Sequence, residues 1–147
     1  MALVTGGKAA VSTLEAENTK YVFGLIGSAT MEIFDALYDS QNINYIGVHD
    51  ERTGVHMADG YARASGNAGL FLAGQNGPGA TNLVTGLSQA MAAFSPVVSI
   101  AGALSSSHLY RDAFQEIDQN ALFNPITKKT WTAPSAERIP ELLRESF

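Results

Sequence analysis

A three-layer α/β/α fold around a mainly parallel sheet is predicted by two features of the chain. Short, nearly continuous apolar runs alternate with longer stretches whose apolar residues recur at helical spacing. Runs of the first kind suit strands covered on both faces, and a repeated strand-helix unit with right-handed crossovers stacks helices on both sides of one sheet.

Taken in order, apolar periodicity predicts helices over Ala9–Glu17, Met31–Tyr38, Thr53–Ala64, Ala80–Phe94 and Ile139–Phe147. The strands between them are read at Tyr21–Leu25, Tyr45–Val48, Leu70–Ala73 and Val97–Ala101. Met31, Met57 and Met91 fall on predicted helices and are read as core filler. Ser135-Ala136-Glu137-Arg138 starts the last helix, and the chain stops within its pattern with no Gly or Pro stop signal and no strand after it. The domain is therefore expected to be truncated before its last strand.

With 147 residues, 46% of them hydrophobic and 16% charged, the chain suits one globular domain over its whole length, residues 1–147. Nine Lys+Arg against fourteen Asp+Glu give a formal charge of -5 with the bases scattered, which excludes a nucleic-acid or anionic-membrane surface. The absence of cysteine removes disulfide, thiolate and Cys-based metal chemistry and fits a reducing cytoplasm. No apolar run approaches the roughly 18 residues of a membrane helix. The start, Met1 to Ala9, lacks the charged and then apolar regions of a leader. The expectation is a soluble cytoplasmic protein.

In such a sheet the loops after the strands form the ligand edge. The richest is Gly74-Gln75-Asn76-Gly77-Pro78-Gly79-Ala80-Thr81-Asn82, whose glycines bring backbone N–H groups close to a ligand ahead of a helix N-terminus. It matches neither phosphate-binding spacing: Ala80 stands where a P-loop has lysine, and Asn82 where a dinucleotide fingerprint has its third Gly or Ala. The segment is either a ligand cradle or a tight turn with Thr81 or Asn82 near the cap. After the second strand, His49-Asp50-Glu51-Arg52 reads either as a capping Asp50 with Glu51 a surface charge, or as a buried proton-transfer carboxylate at the sheet edge. Asp59 lies about 12 Å further along the same helix, too far for a dyad with Glu51.

Leu25-Ile26-Gly27-Ser28-Ala29 is a turn with Ser28 near a cap, or a place where a ligand approaches the backbone. In the segment from Ala113 to Gln119, Phe114 and Gln115 either line a pocket or pack. His49, His56 and His108 share no zinc spacing, and no metal site is assigned to the chain. Ser105-Ser106-Ser107 lacks a nucleophile-elbow context.

Phe23-Gly24-Leu25-Ile26-Gly27, His49-Asp50-Glu51-Arg52, Met57 to Gly66, Asn76 to Asn82 and Phe114-Gln115-Glu116, in this order, resemble the N-terminal pyrimidine-binding domain of thiamine-diphosphate enzymes. The acetohydroxyacid synthase-like branch is the most similar. Within it, Ile26-Gly27-Ser28-Ala29, Gly74 to Gly79 and Phe114 to Phe123 look like sulfoacetaldehyde acetyltransferases, where acetohydroxyacid synthases more often carry Pro-Gly-Gly and Thr-Ser-Gly-Pro-Gly.

The resemblance implies that Glu51 is the family's glutamate. Its carboxyl group hydrogen-bonds the pyrimidine of thiamine diphosphate and promotes the imino form that takes the proton from the thiazolium carbon; attack on a 2-oxo acid or a sulfoacetaldehyde-like carbonyl follows. By the same matching Gly27, Ser28, Asn76, Gly77, Pro78 and Gly79 border the cofactor, Gln75, Phe114 and Gln115 border the substrate, and Met57 to Arg63 is structural, with Gly60 allowing a close helix approach. Asp50 replaces the histidine of a common His-Glu pair, and no role passes to His49.

The family's Gly-Asp-Gly motif for magnesium and diphosphate is absent. That half of the site is therefore expected in a missing region or a separate subunit, with the active site between two chains of a homodimer or homotetramer and this chain inactive alone. A flavin (FAD) requirement stays open. The alternatives are an acetolactate synthase-type enzyme and a non-catalytic α/β module used for binding or oligomerisation.

Overall fold

The computed structural model describes residues 3–147; Met1 and Ala2, which open the segment read for a leader, lie outside them. Helix α1 spans Gly6–Ala16 and starts where the Thr5 side chain accepts a hydrogen bond from the Lys8 N–H. It is followed by β1 (Tyr21–Leu25), a single 3-10 turn (Ser28–Thr30), α2 (Met31–Asp39), β2 (Asn44–Gly47), α3 (Glu51–Ser65) and β3 (Gly69–Ala73). Next come α4 (Pro78–Thr81), α5 (Leu83–Ala92), β4 (Val97–Ala101), α6 (Gln119–Phe123), a second 3-10 turn (Ala136–Arg138) and α7 (Ile139–Ser146). The four strands pair in parallel in the order β2-β1-β3-β4. No helix among the described residues is long and apolar enough to cross a membrane.

Alternation along the strands builds the three layers. Val22, Leu70, Leu72 and Val98 pack with Val11 and Leu14 of α1 and Phe34 and Leu37 of α2. Phe23, Phe71 and Ala73 turn the other way, onto Val55 and Ala58 of α3, Leu83 and Leu87 of α5 and Phe123 of α6. The expected fold class is thus observed.

Several sequence expectations change. All five β3 residues are buried, but none of the four in β2 is, because β2 is an edge strand and not one covered on both faces. Tyr45 in β2 is anchored by its hydroxyl, which donates to the Gly24 carbonyl at 2.9 Å, and burial pushes its phenol pKa up. The helix expected over Ala80–Phe94 begins at Pro78, which suits a first helical position, and its regular structure is interrupted at Asn82. Met31, Met57 and Met91 are 52%, 37% and 43% exposed, since Phe34 and Leu37, Val55 and Ala58, and Leu83 and Leu87 already fill the inward stripes of their helices. Helix α6 escaped the sequence reading because it is short; Asp118 caps it by accepting from the Ala121 N–H.

Helix α3 lies unusually close to its neighbours. A Cβ on Gly54 would sit 2.0 Å from the Phe71 ring, one on Gly69 2.0 Å from the Ala58 carbonyl oxygen, and one on Gly86 2.6 Å from Val55. Gly60, the glycine expected to allow the approach, faces solvent with nothing within 4 Å. Buried Asp59 is paired with Arg63 one turn on, at 2.8 Å, and the other buried residues within Met57 to Arg63 are Ala58 and Ala62.

Two outcomes are expected. Gly54→Ala drives a methyl into the Phe71 ring and lowers stability by about 3 kcal/mol, whereas Gly60→Ala raises it by about 0.5–1 kcal/mol, both measured by chemical denaturation. The Arg63 guanidinium holds the Asp59 carboxyl below its ordinary pKa. That contribution is complete above the unfolded value of about 3.9 and is lost as pH falls through the folded one. The stability gap between wild type and Asp59→Asn therefore closes below about pH 4.

Candidate functional site

The strand order reverses direction between β1 and β3, and the loops after those two strands meet there. The Gly74 N–H donates to the Leu25 carbonyl and the Ala29 N–H to the Gly74 carbonyl, both at 2.9 Å. A Cβ on Gly74 would lie 2.0 Å from the Gly27 nitrogen, and one on Gly27 2.5 Å from the Gly74 carbonyl carbon, so only paired glycines let these backbones touch.

Two adjacent carboxylates follow β2, with opposite surroundings. Asp50 is the N-cap of α3: it accepts from the Arg52 N–H at 2.9 Å, as the simpler of its two readings expected. It is also bridged by the Arg52 guanidinium, which holds its carboxyl down to about 2. Glu51, the first residue of α3, is only 7% exposed, which overturns its reading as a surface charge. The helix N-terminus favours its negative charge. Oε2 accepts a hydrogen bond from the Asn82 side-chain amide at 2.9 Å. Oε1 takes none from the described residues and is not among their sealed, unpartnered polar atoms, so it is open to a donor from outside. A Cβ on Gly79 would stand 3.4 Å from Oε1, and the missing side chain there leaves that oxygen uncovered.

The remaining predicted residues form a polar seam across three loops. Ser28, which makes no cap hydrogen bond, donates its hydroxyl to Gln75 Oε1 at 2.9 Å, and Gln75 Nε2 donates to Gln115 Oε1 at 2.7 Å. Asn76 is buried and donates its amide to the Phe114 and Gln115 carbonyls at 3.1 and 3.3 Å. Gly77, at φ 53°, packs on Gln115: a Cβ there would be 2.6 Å from the Gln115 carbonyl oxygen. Pro78 opens α4, and Gly79 faces Glu51.

The Phe114 ring is 78% exposed, so the packed reading fails and only its backbone joins the seam. The loop around it carries Tyr110, Asp112 and Gln115 at φ 63°, 50° and 61°. Glu116 ties that loop by accepting from the Tyr110 and Ala113 N–H groups, and these donors hold its carboxyl below the ordinary range. His49, His56 and His108 are all exposed. A cleft of about 1290 Å³ runs along the outer edge of β4; Asn76 and Gln115 border it and Glu51 does not.

Asn82 and Glu116 are the site residues that sequence reasoning missed. Asn82 reads as a cap because it sits at a helix start, yet it makes no side-chain cap hydrogen bond and reaches Glu51, 31 residues earlier. Nothing local signals that contact. The position of Glu116 directly after Phe114-Gln115 was the available signal for the second.

A family model described as "Thiamine pyrophosphate enzyme, N-terminal TPP binding domain" matches residues 4–122. The chain is 46% identical over 142 residues to a probable acetolactate synthase large subunit of Methanocaldococcus jannaschii, covering 97% of this chain and 24% of that protein. It is 40% identical over 147 residues to an acetolactate synthase large subunit of Haemophilus influenzae, covering all of this chain and 26% of the relative. With the Escherichia coli acetolactate synthase isozyme 3 large subunit it shares 37% over 147 residues, again all of this chain and 25% of that protein. The chain thus spans about a quarter of the length of these curated relatives.

Replacing Asn76 with Ala leaves two carbonyls of a left-handed loop without their donor. Amide exchange over residues 105–117 is expected to speed up at least tenfold while β1 and β3 keep their protection. Unchanged exchange in that loop would show that the seam does not hold it.

Proposed function

This chain belongs to the thiamine pyrophosphate enzyme family, in its N-terminal TPP-binding domain, and from that premise we propose that it is the pyrimidine-facing half of an acetolactate synthase-type active site. The observation that carries the reading is the buried Glu51 carboxylate with one oxygen tied to Asn82 and the other open beside Gly79. Burying a carboxylate is costly unless its charge is used or compensated, which weighs against a purely scaffolding module.

The donor set fits an aminopyrimidine. Oε1 is free to share a proton with a ring nitrogen, and Gly79 leaves that oxygen uncovered. Thiamine diphosphate, when bound, supplies a carbanion at its thiazolium carbon and a sink for the electrons of the bond that breaks. The chain's own part is to hold and move a proton. Glu51 would meet a ring nitrogen through Oε1 and hold or pass the proton between them, while Ser28, Asn76, Gly77 and Pro78 would wall the ring with a fixed, hydrogen-bonded loop.

Gln75, Phe114 and Gln115 stand on the substrate side of the seam. Magnesium and the diphosphate are assigned to protein outside this chain, either a further region or a second subunit, with the complete site between chains of a homodimer or homotetramer. A cytoplasmic setting agrees with the absence of cysteine.

The substrate is the finer question. Loop residues such as Gln75 and Asn76 resemble the sulfoacetaldehyde-using branch, but the relatives at 37–46% identity carry acetolactate synthase names, which favours that alternative. The test uses the full-length native gene product with thiamine diphosphate and magnesium. Acetolactate is expected from pyruvate, with no sulfite release from sulfoacetaldehyde; the reverse result would overturn the choice of branch. Glu51→Gln is expected to slow proton exchange at the thiazolium carbon by at least about a hundredfold, and an unchanged rate would remove Glu51 from its role.

A further inference from the structure

We infer that Asn82 is a positioning residue: its side-chain amide ties down Glu51 Oε2 and holds the carboxylate turned so that Oε1 alone is presented outward. The inference rests on the reading of Glu51 as the group that meets the cofactor, and it adds a residue to that reading.

Asn82 stands where the helix following the Gly74–Gly79 loop is interrupted, between α4 and α5. Asparagine at such a place ordinarily turns its side chain back on the local backbone. This one makes no side-chain cap hydrogen bond and instead donates to Glu51 at 2.9 Å. A carboxylate offers acceptors only, so the contacting atom of Asn82 is its NH₂ group. An amide donor stabilises the ionised carboxylate relative to the acid.

Charges elsewhere do not supply that stabilisation. The elements packed on α3, which are β1, β3, β4 and α5, carry no charged side chain, and their one titratable residue, Tyr21, begins β1 at the opposite sheet edge. Neither α4 nor Asn82 adds a charge. The charged neighbours in sequence, Asp50 and Arg52, are bound to each other, and His49 is exposed. Asn82 makes the only hydrogen bond to the Glu51 side chain among the described residues.

Gly79 lies beside Oε1, and three residues further along the same segment the Asn82 amide meets Oε2. One short segment thereby governs both oxygens: Gly79 leaves one bare and Asn82 occupies the other.

The experiment compares wild type, Asn82→Ala and Asn82→Asp in the full-length native gene product. The first readout is taken without cofactor: the pH at which the infrared band of the protonated Glu51 carboxyl, identified by its loss in Glu51→Gln, reaches half intensity. Removing the donor is expected to move this midpoint up. The near-isosteric Asn82→Asp sets a second carboxylate against the first and is expected to move it further. The second readout is the pH dependence of proton exchange at the thiazolium carbon with thiamine diphosphate bound, whose acid limb should move with the infrared midpoint.

A midpoint in both variants equal to that of wild type overturns the inference, even if activity falls, because a packing role lowers rates without retuning the carboxyl. Should Glu51→Gln leave exchange at its wild-type rate, the reading of Glu51 fails separately. The cofactor-free titration still decides whether Asn82 sets the state of that carboxyl.

Discussion

The closeness of α3 to the sheet is the constraint on which the site depends. Gly54 and Gly69 remove the side chains that would hold α3 and β3 apart, and Gly86 does the same between α3 and α5. Lodged this deeply, the helix buries Val55 and Ala58 completely and puts its first residue under the loop that follows β3. Interiors are packed densely enough that a single extra methyl at such a contact moves backbone or strains side chains. The position of Glu51 is therefore set by glycines in three different elements, none of them in the candidate site.

From that placement the electrostatics divide naturally between two successive residues. Asp50 and Glu51 sit on the same helix start, where the backbone favours negative charge, yet one is solvated and bridged by Arg52 and the other is buried. The exposed member performs the structural work of a cap. The buried member is left with an open oxygen and an uncharged amide partner, an arrangement suited to accepting and returning a proton.

The loops around Glu51 are held by hydrogen bonds across long sequence separations. Ser28, Gln75 and Gln115 join the loops after β1, β3 and β4, and Asn76 secures the last of these through its backbone carbonyls. That loop contains three non-glycine residues at positive φ, a conformation that persists where surrounding contacts enforce it. Asn76 from one side and Glu116 from within provide those contacts. The exposed Phe114 ring is thus carried on a fastened loop.

The sequence by itself determined the layered fold and the identity of the candidate loops. A strand such as Leu70–Ala73 is apolar at every position because helices cover both faces, and that requirement is written locally in the chain. The order of motifs likewise marked Glu51 and the Asn76–Gly79 turn. Tertiary structure alone decided which of two neighbouring carboxylates is buried, that Gly54 and not Gly60 makes the close helix contact, that the methionines face outward, and that Asn82 serves Glu51 instead of a cap. Each of these depends on what an element meets across the fold, 31 residues away in the case of Asn82 and Glu51. Periodicity records which face of an element is apolar; it carries no record of the partner that face, or a polar side chain at its end, will find.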